Sequence, residues 1–96
     1  MVRRRKSRVL RTIKERVQSG LVEFTQHAFE EEMLDEKISK ADVLRAVVTG
    51  KLVARQTHGM RGTRYVFRGP GLDGLPVEAV CRMMPEKVRI VTVYRV

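Results

Sequence analysis

Among these 96 residues, those whose types could do chemistry are two histidines and a set of arginines. His27 and His58 are the only side chains whose unperturbed pKa lies near neutrality. Cleaving an RNA phosphodiester without a metal requires a proton taken from the 2′-hydroxyl and another given to the leaving 5′-oxygen. It also requires cations around the phosphorane. His27 is the candidate for proton transfer, and Arg64, Arg82 and Arg89 for holding the phosphate. A place in the first turn of a helix would disfavour the imidazolium and leave His27 a neutral base at pH 7. The structural alternative for His27 is a half-buried residue satisfying a nearby carbonyl. For His58, in the glycine-flanked turn His58-Gly59-Met60-Arg61-Gly62, it is an ordinary loop residue. Two histidines and the single Cys81 make no convincing zinc site. There is no phosphate-cradling G-x-x-x-x-G-K motif and no nucleophile elbow. No metal or cofactor is expected.

The arginines take their meaning from the strands that carry them. After Gly50 the pattern alternates, and four strands are expected at Lys51–Thr57, Thr63–Arg68, Leu75–Met83 and Val88–Arg95. Short turns between them imply an antiparallel meander. Successive side chains on a strand point to opposite faces. Thr63, Tyr65 and Phe67 then share one face with Val77, Ala79, Cys81, Val88, Ile90, Thr92 and Tyr94. The opposite face carries Arg64, Arg68, Arg82, Arg89 and Arg95 around Val66, Val80, Val91 and Val93. All five charges there are arginine, whose planar fork grips phosphate or carboxylate oxygens two at a time. The alternative is a solvated face whose arginine stems cover the valines. A strand slipped by one residue would remove part of the set.

Three helices precede these strands. Val9, Leu10, Ile13 and Val17 make an apolar stripe on a helix over residues 3–19, with Gly20 as its left-handed stop. Thr25 can cap a helix from about Gln26 to Glu36, with Phe29, Met33 and Leu34 facing inward. Ser39 and Asp42 form a capping box, with Ile38 and Val43 at the staple positions, for a helix closed by Gly50. The expected fold is α+β: three helices, then a four-stranded antiparallel sheet, in one domain over 1–96.

Charge is unevenly spread. Residues 1–16 hold eight basic and one acidic residue, 17–49 three and seven, and 50–96 nine and three, giving +7, −4 and +6 and the net +9. Basic parts around an acidic middle suit a phosphate-bearing partner. Arg3, Arg4, Arg5 and Arg11 of the first helix, with Arg68 and Arg95 of the sheet, are the candidate nucleic-acid contacts. Aromatics are scarce, so base stacking on an aromatic platform is not expected. One cysteine suggests a reducing compartment. No apolar run is long enough to span a bilayer, and the expected location is the cytoplasm.

Phe24-Thr25-Gln26-His27-Ala28, Ile38-Ser39, Val43 to Gly50, Arg64-Tyr65 and Val91-Thr92-Val93-Tyr94 together resemble domain-of-unknown-function family 4258. The resemblance covers about residues 21–96 and leaves out the basic first helix, residues 1–20. That family looks like a relative of the RelE and BrnT toxins of toxin–antitoxin pairs, which are compact α+β ribonucleases inhibited by a small partner. The resemblance implies a RelE-like architecture, an RNA substrate that could be ribosome-associated, and a small acidic antitoxin. One departure stands out: the family tends to carry arginines in the helix after its histidine. Here that helix carries Glu30, Glu31, Glu32, Asp35 and Glu36. A noncatalytic nucleic-acid-binding module and a protein-interaction domain docking an acidic partner are the competing readings.

Overall fold

The computed structural model describes residues 2–57 and 59–96, and of residues 2–7 and Arg61 the backbone only. The turn histidine His58 therefore lies outside the described residues, as do the side chains of Arg3, Arg4 and Arg5.

Helix α1 spans Val2–Gln18. Its stripe packs as the spacing requires, with Ile13 and Val17 buried and Val9 and Leu10 against the core. Gly20 leaves it with φ +80°, a conformation open to glycine without steric cost. Strand β1, Val22–Phe24, follows. Helix α2 is a π-helix over His27–Met33 that runs into an α-helical turn over Leu34–Glu36. Helix α3 spans Lys40–Thr49. Strands β2 (Lys51–Thr57), β3 (Thr63–Pro70), β4 (Pro76–Met83) and β5 (Val88–Arg95) complete the chain.

The sheet has five strands in the order β1-β5-β4-β3-β2. It is mixed rather than wholly antiparallel, because β1 lies parallel to β5 along its outer edge. The expected order of helices first and strands after is corrected by the same short strand. By sequence, Leu21 to Thr25 reads either as a short strand or as an extended entry, three residues being too few for periodicity to decide. They pair because the chain leaving α1 must pass the edge of β5: Val88 N–H donates to Leu21 O at 2.9 Å and Thr25 N–H to Ile90 O at 3.0 Å.

Beyond β1 the edge of β5 is taken over by α2. Thr25 Oγ1 accepts from Ala28 N–H at 3.1 Å, the cap expected of it. Glu32 Oε1 then accepts from Val93 N–H at 3.0 Å, meeting a strand donor that has no strand beside it. The π-winding changes which residues face inward. Ala28 and Met33, five apart, are the buried pair, and Phe29 and Leu34 are 38% and 61% exposed. An i→i+5 ladder stacks residues at that spacing, so a reading at α-helical spacing places Phe29 and Leu34 wrongly.

The capping box at the start of α3 is formed in both directions. Asp42 N–H donates to Ser39 Oγ at 3.0 Å, and Ser39 N–H to Asp42 Oδ2 at 2.9 Å. The other oxygen of Asp42 accepts from Leu72 N–H at 2.7 Å, tying the β3–β4 loop to the helix. At the far end of α3, Lys14 Nζ donates to Val48 O at 2.9 Å and Gly50 O at 2.7 Å. Those are carbonyls that the helix itself cannot satisfy. All three helices pack on one face of the sheet, over Tyr65, Phe67, Val77, Ala79, Cys81, Val88, Ile90 and Val93. Burying each large side chain there is worth about 1.5–3 kcal/mol.

Candidate nucleic-acid interface

The opposite face of the sheet is built by register. Arg64 lies directly opposite Arg82, and Arg82 directly opposite Arg89. The row continues to Gln56 on β2 and Glu23 on β1. Three arginines thus stand side by side on neighbouring strands, roughly 4.8 Å apart in backbone spacing. Each is half-buried. Directly opposed like charges repel across a sheet, and the Glu23 carboxylate beside Arg89 offsets part of that at one end.

Glu23 modulates one end of this row. It pairs with Lys87 and lies 3.2 Å from Arg89 Nε. Lys87 and Arg89 hold its carboxyl below the usual range, against the opposing effect of burial. The hairpin that carries Arg82 and Arg89 is anchored from behind by α1. Arg16 donates to Met84 O at 2.8 Å and to Pro85 O at 3.2 Å, closing over the β4–β5 turn.

Arg95 does not belong to this face. The β4–β5 register shifts between Val80 and Cys81, so that Ile90 and Thr92 pair with consecutive β4 residues and Val91 is bulged out. Such a bulge reverses the alternation beyond it. Val93, placed on the arginine face by strict alternation, is fully buried in the helix-side core. Arg95 follows it to the helix side, 3.4 Å from Lys37 O and 3.6 Å from Asp73 Oδ2. Tyr94, expected on the apolar side, turns outward instead. A bulge adds one residue without changing residue type, and nothing in a valine- and threonine-rich run marks which residue it will be.

At the end of the face away from the arginine row, Arg68, Glu78 and Tyr94 lie opposite one another on β3, β4 and β5. Arg68 Nε donates to Glu78 Oε2 at 2.8 Å, and Tyr94 Oη–H donates to Glu78 Oε1 at 2.6 Å. The Tyr94 hydroxyl, followed by Arg68, keeps the Glu78 carboxyl below its ordinary range, and burial opposes them. The same hydrogen bond raises Tyr94. Between the two polar rows lie Ala54, Val66, Val80 and Thr92. Val66 and Val80 are buried although they stand apart from the helix-side core. Glu78 and Tyr94 escaped the sequence reading as site residues. The alternation does put Glu78 on this face, but only the bulge brings the tyrosine to it.

His27 sits on α2 at the edge of β5, and its polar partners are carboxylates. Nδ1 contacts Glu31 Oε2, and Nε2 lies 3.5 Å from Glu32 Oε1. The hydrogen bond that His27 donates to Glu31, then the charge of Glu32, raises its pKa above the ordinary value. That direction is opposite to the one expected of a helix's first turn, because two carboxylates within the same turns favour the imidazolium. Glu32, which also holds Val93 N–H, links the imidazole to the Tyr94 side of the face rather than to the arginine row. Arg11, the described member of the α1 candidates, is exposed. Among the described residues no group of three or more His, Cys, Asp or Glu could hold a metal ion. Nor, among them, is any helix long and apolar enough to cross a membrane.

Neither the comparison with curated proteins nor that with solved structures gives a match. Residues 24–95, from the last residue of β1 to the end of β5, match one family along their whole length. Helix α1 and its Arg16 clasp stand before that match. By this match the chain belongs to the family described as domain of unknown function DUF4258.

Proposed function

We propose that the protein binds RNA on the outer face of its sheet and cleaves it, as a toxin-type ribonuclease restrained by a small acidic partner. The observation that carries this reading is the row Arg64–Arg82–Arg89, three arginines at directly opposed strand positions on the face away from α1, α2 and α3. Each fork can take two phosphate oxygens. The row, the basic α1 and the net charge of +9 all favour a polyanion. Kinship of the family with RelE- and BrnT-type toxins is part of the proposal, supported by the α+β architecture and by a cationic sheet face.

The test is binding of a fluorescent single-stranded RNA across a salt series. Affinity should fall steeply with salt as counterions are released. Replacing Arg64, Arg82 and Arg89 together by Ala should weaken binding at least tenfold, about 1.4 kcal/mol. Arg95→Ala, on the other face, should leave it unchanged. Undiminished binding in the triple variant would move the site to α1.

A noncatalytic binding module is the competing reading. It is favoured by the carboxylate partners of His27 and by the acidic α2, where an RNA-contacting helix would carry cations. Mapping the ends of RNA incubated with the pure protein separates the two.

A further inference from the structure

We infer that Glu78, reached through the hydroxyl of Tyr94, is the proton acceptor of an RNA-cleaving centre at the Arg68 end of the face. This rests on the reading that the face binds RNA, and assigns the chemistry to a different end from the arginine row.

Glu78 is the anomaly of this surface. It is 7% exposed, on the sheet face away from α1, α2 and α3. Burying a carboxylate is costly unless it is paired, and a glutamate so placed calls for a reason. Neutralising Arg68 is not one, since Arg68 is 48% exposed and already solvated. Tyr94 supplies the other half of the arrangement. It is 37% exposed, and its hydroxyl meets Glu78 Oε1 at 2.6 Å, a length typical of a charged O–H···O⁻ bond. A substrate hydroxyl arriving at Tyr94 has the covered carboxylate one proton jump behind it.

The sheet also supplies the geometry for a polymer. Glu78 and Arg82 are four residues apart on one strand, or about 13 Å. A strand of RNA lying across the face can thus leave one phosphate on the arginine row and present another at Arg68. The proton donor stands at the strand edge. His27 is held by Glu31 and Glu32, and Glu32 grips the residue before Tyr94. Environments that push a carboxyl down and an imidazole up separate a base from an acid.

The reaction balances within these groups. The 2′-hydroxyl proton moves to Tyr94 Oη as the proton of Tyr94 moves to Glu78 Oε1. The 2′-oxygen forms its bond to phosphorus, the bond from phosphorus to the 5′-oxygen breaks, and that oxygen leaves with the electron pair. It takes a proton from the His27 imidazolium. Arg68 faces the charge gathering on the phosphoryl oxygens. The products are a 2′,3′-cyclic phosphate and a 5′-hydroxyl.

The experiment incubates the full chain with end-labelled single-stranded RNA and identifies the new ends, with binding measured on the same samples. Fragments ending in 2′,3′-cyclic phosphate are expected from the wild type. Glu78→Gln and Tyr94→Phe should each cut the cleavage rate about a hundredfold or more, the usual size for a lost acid–base group. Both should bind RNA within about threefold of wild type. Tyr94→Phe keeps the Arg68–Glu78 pair, and so remains informative if Glu78→Gln fails to fold. Binding without cleavage by the wild type overturns this inference and leaves the RNA-binding reading standing, whereas loss of both ends both. Undiminished cleavage by either folded variant, or fragments ending in a 3′-hydroxyl, overturns it as well.

Discussion

At His27 the pKa shift runs opposite to the one its place in a helix's first turn predicts. Paired with Glu31 and Glu32, it holds its proton to higher pH than a free histidine does. A raised pKa means that the pairing contributes fully below the unfolded value and is lost as pH rises through the folded one. An NMR titration should place the His27 imidazole above the ordinary value of about 6.5, and Glu31→Gln should bring it down. A titration at or below that value would remove His27 as proton donor. Any cleavage that depends on this donor should fall along the same alkaline limb. Cys81, by contrast, is silent. Burial pushes its thiol up to about 12, and the reactive species is the thiolate.

At the level of elements, the close seam is where α3 meets β3. A Cβ on Gly69 would collide with Ala46 O and come within 2.8 Å of Gly50 Cα. Both obstacles are backbone and cannot swing aside. Gly69→Ala should therefore destabilise the fold by several kcal/mol, at the upper end for single substitutions, read as a fall in urea midpoint. Gly62→Ala meets no atom but must hold φ +84°, and should cost about 1 kcal/mol. The elements themselves were largely legible: α1, the boxed α3 and the four long strands follow from stripes, caps and alternation. The π-turns of α2, the pairing of β1 and the bulge at Val91 were not. Each depends on a neighbour rather than on its own residues: α2 on the bare edge of β5, β1 on the path out of α1, the bulge on how β5 meets β4. The arginine row lies where alternation is regular, and it was legible for that reason. The Arg68–Glu78–Tyr94 row lies beyond the irregularity.

For the whole molecule, three depressed carboxyls join separate parts. Asp42 ties α3 to the β3–β4 loop, Glu78 joins β3 to β5, and Glu23 joins β1 to the β4–β5 hairpin. Each contributes above its unfolded pKa, and that contribution is lost as pH falls through its lower folded value. Stability should therefore be flat toward neutrality on the acid side and decline below about pH 4, the ordinary carboxyl range. Asp42→Asn should soften that decline, measured by urea unfolding at pH 3 and pH 6; equal slopes would show that Asp42 contributes nothing to it. The polarity of charge also has a direction. The basic α1 precedes the segment matched to the family, and its C-terminal turn clasps the hairpin that bears Arg82 and Arg89 through Arg16.

One extra residue in β5 gives that strand two parities. Its first half shows an arginine where its second half shows a tyrosine, although both halves obey the same odd–even rule. Were all eight residues of β5 to alternate regularly, with Val91 taken into the ladder, the composition and the net charge would be as they are. That register would trade Tyr94 for Arg95 on the outer face and push Val93 out of the core behind it. In this strand, then, chemistry is written in the count of residues as much as in their kind. Among sequences of this type, a one-residue deletion in the closing strand would spare both faces at the bulge, whereas a deletion just beyond it would change the surface chemistry.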